Sequence, residues 1–345
     1  EAQRVERIHA GASHSGACGR GSGVEGALSG TGGSGKGVLR GRFAAGRKGV
    51  VRRLFTMLVL VTGASGLLGR AVCAALESRG ISIRGVDRRF HSDVAAHLEL
   101  ADVRDELSVY RLLDGCDAVV HLANHPNPYM PLSAQTLLSE NVSMNANVFF
   151  AAADLGIKRV VFASSIQVTF ARENRLTPRD PPGVPYLPAD GNVPPNPGRN
   201  PYALSKEMGE RMLELMARAD AEIACTSLRF PMLMSTDWFE RVRERGYRRP
   251  TGLSMHDFLA YLPVTDAGRL VALVLERQEP GYHRYFPAQS MQVKGASVGD
   301  VIAEHYPDAE IRAPLEKIES LIDLSALEAE LGWQPEYPPL TALVD

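Results

Sequence analysis

The stretch Thr62-Gly63-Ala64-Ser65-Gly66-Leu67-Leu68-Gly69 follows directly on the apolar run Leu58 to Val61 and opens an amphipathic segment reaching Arg79. Glycines at this GxxGxxG spacing allow a tight strand-to-helix turn, let backbone approach a ligand closely, and let the helix pack on the strand. The helix start adds N–H groups without intrahelical partners and the positive end of the helix dipole, which together suit a pyrophosphate. Glycines that merely turn the chain are the alternative, so the surroundings decide.

Those surroundings alternate short β-rich runs with helical ones. After the helix ending at Gly80, strands are expected at Ile81 to Val86, His97 to Leu100, Asp117 to Leu122, Arg159 to Ala163 and Glu222 to Leu228. Between them lie helices at Asp105 to Leu113, Ser133 to Leu155 and Tyr202 to Ala219. This order predicts an α/β fold, a Rossmann doubly wound parallel sheet over residues 57–230. Residues 231–345 read as a smaller C-terminal substrate-binding lobe, interleaved with that domain. The Pro, Arg, Asp and Gly-rich stretch from Thr169 to Asn200 reads as an exposed loop bordering the pocket.

Residues 1–56 differ in kind. They hold ten Lys and Arg against three acidic residues, and 14 of the 32 glycines, while the remainder carries 28 basic and 37 acidic residues. With almost no periodic apolar pattern, such a segment cannot offset its ordering entropy. It is expected to be a disordered Gly/Arg-rich tail, non-native or encoded upstream of a start at Met57; a basic arm or a targeting peptide are the alternatives. Gly30 to Gly37 nearly spells a P-loop, but Gly37 replaces the Mg²⁺-binding hydroxyl and no strand precedes it.

No apolar run reaches the roughly 18 residues needed to span a bilayer, so no membrane role is expected. Four scattered cysteines form no CxxC pair, and no HExxH stands among the histidines, so neither a disulfide framework nor a metal site is expected and a cytoplasmic setting fits. The basic tail lacks interleaved aromatics and the body is acidic, which argues against nucleic acid as a partner.

Within the expected domain, Asp87 ends the second strand and can accept from ribose hydroxyls, which favours NAD; Arg88 and Arg89 beside it leave NADP open. Asp102-Val103 lies where an adenine would rest, with a helix cap the other role for Asp102. Tyr202 and Lys206 stand four apart on a helix, so the ammonium can lower the phenol's pKa and reach a ribose. Ser164 and Ser165 end the fifth strand, and alternation lets only one face the crevice.

Taken in order, these segments resemble the extended short-chain dehydrogenase/reductases, the NAD-dependent epimerase/dehydratase family. The resemblance rests on Thr62 to Gly69, Asp87, Asp102 to Asp105, Asp117 to Ala123, Asn141-Val142, Phe162 to Ser165, Asn200 to Lys206, Leu228 to Pro231, Asp323 to Ser325 and Leu331 to Pro335. It implies a triad of Ser165, Tyr202 and Lys206 assisted by Asn141. It also implies cofactor contacts from Gly63, Ser65, Gly66, Leu67, Leu68, Gly69, Asp87, Arg88, Asp102, Val103, Leu122, Ala123, Tyr202, Lys206 and Phe230, and a homodimer through paired helices. Asn141 has a structural alternative, capping or kinking its helix.

Departures narrow the chemistry. The family's dehydratases carry an acidic pair after the catalytic hydroxyl; here Ile166 and Gln167 stand there, and neither transfers protons that way. The lobe after Pro231 is short for gripping a nucleoside diphosphate. The expected activity is an NAD-dependent oxidoreductase acting on a hydroxyl-bearing carbon of a sugar or sugar acid, a small-molecule partner. A nucleotide-sugar epimerase without net NAD turnover and a non-catalytic NAD(P)-binding sensor or scaffold are the alternatives. Asn124, His125 and Gln167, at strand ends, are the substrate-contact candidates. Arg241, Arg243, Arg245, Arg248 and Arg249 form either an anion-binding run or a solvated helix face.

Overall fold

The computed structural model describes residues 57–169, 184–248 and 257–343. The chain divides into Glu1–Arg53 and Leu54–Asp345, and the described residues lie in the second unit. The expectations for residues 1–56, including the P-loop-like stretch, lie outside the described residues.

Seven strands form the central sheet: β1 (Leu58–Thr62), β2 (Ser82–Asp87), β3 (Leu98–Leu100), β4 (Ala118–His121), β5 (Arg159–Ser165), β6 (Ala224–Phe230) and β7 (Gly281–Tyr285). Their order is β7-β6-β5-β4-β1-β2-β3, every pairing is parallel, and the winding direction reverses between β1 and β4. This is the doubly wound Rossmann arrangement, whose ligand crevice opens at the carboxyl ends of the strands where the order reverses.

Alternating side chains send each strand into two cores. Val59 and Val61 pack with α1 (Leu67–Glu77) and α5 (Val264–Arg277), whereas Leu60 and Val119 pack with α2 (Glu106–Leu113), α3 (Ala134–Asp154) and α4 (Pro201–Ala219). Both faces are covered, so the strands read as unbroken apolar runs rather than alternating ones.

Three expectations are corrected. β5 and β6 both run two residues further than their composition indicated, because they pair register by register as far as Ser165 against Phe230; the ladder carries Ser165 to the crevice. β7 is a strand that the loosened pattern after Arg229 does not reveal, being an edge strand paired to β6 alone. The stretch before Asn200 is not simply an exposed loop: Tyr186, Leu187, Ala189 and Val193 are buried in a third core with Phe239, Phe258 and Tyr261.

Residues beyond Phe230 serve both layers. α5, β7 and the fully buried Trp333 belong to the sheet and its core. The short strands Met232–Met234 and Ala260–Pro263 pair in parallel with each other to build the wall above the crevice. No described helix is long and apolar enough to cross a membrane.

Candidate active site

The crevice rests on a buried polar seam. Thr62 Oγ1 accepts from the backbone N–H groups of Leu122 (3.1 Å) and Ala123 (3.2 Å) and lies 2.8 Å from His121 Nδ1, while His121 Nε2 is 3.0 Å from Asn145 Oδ1. Asn145 Oδ1 also accepts from Asn124 Nδ2, and Asn145 Nδ2 donates to the Ser205 carbonyl. Strand ends β1 and β4 are thereby tied to α3 and α4, the helices that carry the reactive groups.

Above this seam is a cavity of about 770 Å³, large enough for a dinucleotide and a small substrate. At one end sits the glycine turn. A Cβ on Gly69 would lie 2.1 Å from the Gly63 carbonyl oxygen, and one on Gly63, whose φ is +72°, would lie 3.0 Å from the Ala123 nitrogen. Only glycines let the backbone come so close. Gly66 caps α1 with no side-chain hydrogen bond, so the N–H groups of the first turn face the cavity without a protein cap and suit an anion. Leu67 and Leu68 line the same end.

Asp87 accepts from the N–H groups of Ser65 (3.1 Å) and Arg89 (3.0 Å). Each carboxylate oxygen keeps capacity for a further donor, as ribose hydroxyls would supply. Arg88 lies 3.9 Å from Asp102. Asp102 is not a helix cap: Asp105 is the N-cap of α2, and Asp102 instead grips the Arg104 guanidinium, which holds its carboxyl below the usual range. Val103, Leu122, Ala123 and Phe230 complete this wall. Ser65 does not line the cavity; its N–H goes to Asp87 and its hydroxyl to the Arg89 carbonyl.

The other end gathers Ser165, Tyr202 and Lys206. Pro201 at the first turn and Asn200, whose Oδ1 accepts from the N–H groups of Tyr202 and Ala203, start α4 so that the phenol points inward. Alternation separates the two serines: Ser164 donates to Glu210 Oε1 (2.6 Å), whereas Ser165 Oγ accepts from the Gln167 N–H (3.2 Å) and lines the cavity with Tyr202. Lys206 Nζ donates to the Ala163 carbonyl (2.6 Å) and to Asn124 Oδ1 (2.8 Å) and lies 4.8 Å from the centre of the Phe162 ring.

The electrostatics differ from expectation. Burial pushes the Tyr202 phenol up to about 12, opposed by Ser165, and the same burial pushes Lys206 down to about 7. The protein does not lower the phenol through a charged lysine, because desolvation penalises both ionised forms. Burial brings Lys206 to titrate near neutrality and opposes ionisation of the Tyr202 phenol.

Asn141 also stands outside the cavity wall. Its Oδ1 accepts from the His125 N–H (2.8 Å) and its Nδ2 donates to Ser205 Oγ (3.0 Å), and α3 runs unbroken past it. Asn124, His125 and Gln167 do line the cavity, with Gln167 Oε1 accepting from Asn200 Nδ2. The arginines do not: Arg241, Arg243, Arg245 and Arg248 are exposed, Arg243 pairs with Glu240, and Arg249 lies outside the described residues.

Sequence reading missed Met232, Leu233 and Asp257, which close the cavity from the lobe. Met232 and Leu233 belong to a three-residue strand that leaves no periodic signal and is brought here by pairing with Ala260–Pro263, and Asp257 lies just ahead of that second strand. It also missed the fully buried Arg229, which clasps Glu210 (2.8 and 2.9 Å) and the carbonyls of Gly191 and Val193, anchoring the loop before α4.

The model of the NAD dependent epimerase/dehydratase family matches residues 59–249, more than half the chain. The chain belongs to this family. Its cofactor is NAD, and the uncapped helix start and glycine cradle fit that group. The NAD-dependent glucose-6-phosphate dehydrogenase of Haloferax volcanii is 34% identical over 166 residues, 45% of this chain and 60% of that relative. The matched segment thus spans less than two thirds of that protein. Cinnamoyl-CoA reductase 1 of Oryza sativa subsp. japonica is 32% identical over 249 residues, 64% of this chain and 68% of the relative. A solved UDP-glucose 4-epimerase from Thermotoga maritima superposes with a TM-score of 0.59 at 19% identity over 82% of this chain and 94% of its own, a likeness of fold.

Proposed function

We propose that this family member is an NAD-dependent dehydrogenase that oxidises a hydroxyl-bearing carbon of a sugar or sugar acid. The observation that carries this reading is the convergence of Ser165, Tyr202 and Lys206 on one end of the cavity whose other end is the glycine turn and Asp87. NAD, when bound, supplies the hydride acceptor. Tyr202 takes the proton of the substrate hydroxyl as the hydride leaves its carbon, and Ser165 holds the oxygen that loses it. Lys206, fixed by Asn124 and the Ala163 carbonyl, sets the charge beside the phenol as it titrates near neutrality. Asn141 positions the His125 backbone and, through Ser205, the first turns of α4.

The haloarchaeal sugar-phosphate dehydrogenase supports a sugar as substrate. Ile166 and Gln167, in place of a proton-transferring acidic pair, speak against dehydration. The test is a screen of the full chain with NAD or NADP against free sugars, sugar acids, sugar phosphates, nucleotide sugars and a hydroxycinnamoyl-CoA thioester. Reduced cofactor accumulating with a sugar or sugar acid is expected. Interconversion of epimers without net reduction would make it an epimerase, turnover of the thioester alone would move it to the cinnamoyl-CoA reductases, and NAD binding without any turnover would make it a sensor.

A further inference from the structure

We infer that His125 determines substrate specificity, with Nδ1 of its imidazole accepting a hydrogen bond from one substrate hydroxyl while Nε2 is tied to Glu140. This rests on the sugar-dehydrogenase reading above and adds to it a recognition group.

His125 lies four residues beyond β4, and its side chain, only 9% exposed, lines the same cavity as Ser165, Gln167 and Tyr202. Its backbone is pinned from both sides by the Asn141 amide. Glu140 Oε2 is 2.7 Å from Nε2, and Glu140 Oε1 is 2.7 Å from the Arg104 guanidinium. These two partners hold the Glu140 carboxyl below its usual range, so it is ionised near neutrality. An ionised carboxylate only accepts, so a ring proton sits on Nε2, and the neutral ring then offers its Nδ1 lone pair as the acceptor.

The ring is fixed in turn: Arg104 is itself gripped by Asp102, so a string of charged groups runs from His125 to the adenosine end of the cavity. A rigid acceptor at the substrate end suits a donor such as a neutral polyol hydroxyl. It does not suit a carboxylate or phosphate oxygen, which brings acceptors alone.

Two substitutions separate recognition from support. His125→Gln keeps an N–H where Nε2 meets Glu140 but has no acceptor at the Nδ1 position; His125→Asn keeps a polar atom near Nδ1 and loses Glu140. With the sugar found in the screen and its monodeoxy analogues, His125→Gln is expected to raise KM about tenfold, the worth of one hydrogen bond, with kcat changed less than about twofold. One deoxy analogue that the unaltered enzyme disfavours should lose its disadvantage in His125→Gln, and His125→Asn should recover part of the lost KM. NAD affinity, read by fluorescence titration, should not move.

An unchanged KM in His125→Gln overturns the assignment, and so does a parallel loss of NAD affinity, the mark of a merely structural group. Failure of the unaltered enzyme to turn over any sugar or sugar acid overturns both the sugar-dehydrogenase reading and this inference. Turnover by the unaltered enzyme with no effect of the substitution overturns the inference alone.

Discussion

Thr62 Oγ1 and His121 Nδ1 lie 2.8 Å apart across the seam between β1 and β4, where the sheet reverses its winding. The Thr62 oxygen already accepts from two backbone N–H groups, at Leu122 and Ala123, so its own proton points to Nδ1. Nε2 then carries the ring proton toward Asn145. A second proton on the ring would set two donors against each other, so the geometry demands a neutral imidazole.

Burial pushes His121 from 6.5 down to about 3. Below pH 6.5 the unfolded chain takes up a proton that the folded chain refuses, so stability falls as pH drops through that window. The loss approaches about 1.4 kcal/mol per pH unit for this one group. Urea unfolding of the wild type and of His121→Gln between about pH 6.5 and pH 5 checks it. The variant, less stable at neutrality, should show the shallower dependence; parallel slopes would refute the assignment.

Tyr202→Phe removes the proton-exchanging hydroxyl while leaving the ring to pack. Turnover should fall at least about a hundredfold with NAD affinity unchanged. Lys206→Met should lower turnover as well, since it deletes the cation beside the phenol and the ties to Asn124 and Ala163. Steady-state kinetics with parallel NAD titration measure both, and full activity in Tyr202→Phe would sink the mechanism.

Gly69→Ala drives a methyl group to 2.1 Å from the Gly63 carbonyl, so the turn itself must shift. NAD affinity should drop at least about tenfold, with a stability cost of about 1–3 kcal/mol. Gly80→Ala is the control. Its φ is +70° but nothing lies within 4 Å of the added carbon, so it should cost about 1 kcal/mol of strain and leave NAD binding intact.

Arg229→Met strands Glu210 as a buried charge, with only Arg284, at 3.6 Å, as an ionic partner among the described residues. Denaturant unfolding should register a loss of about 3–5 kcal/mol. Replacing both at once, Arg229→Met with Glu210→Leu, should recover a large part of it, because no unpaired charge then remains.

The sequence by itself determined the local and periodic features. The glycine turn, the apolar runs, the Asn200-Pro201 helix start and the i,i+4 pair of Tyr202 and Lys206 each owe their form to backbone sterics or side-chain period, which act over a few residues. From these the sheet, the cofactor and most of the crevice wall were legible, including the choice between Ser164 and Ser165 that strand alternation poses.

Only the tertiary structure decided what depends on contacts between distant segments. β7 has an edge-strand composition and owes its place to pairing with β6, and Met232, Leu233 and Asp257 reach the cavity through the packing of the lobe. The Ser65 hydroxyl turned to the Arg89 carbonyl and the Asn141 amide to the His125 backbone and Ser205 Oγ instead of the cavity. The protonation of Tyr202, Lys206 and His121 was beyond the sequence for the same reason: desolvation is set by how much of the whole chain closes over a group, and spacing along the chain carries no record of it.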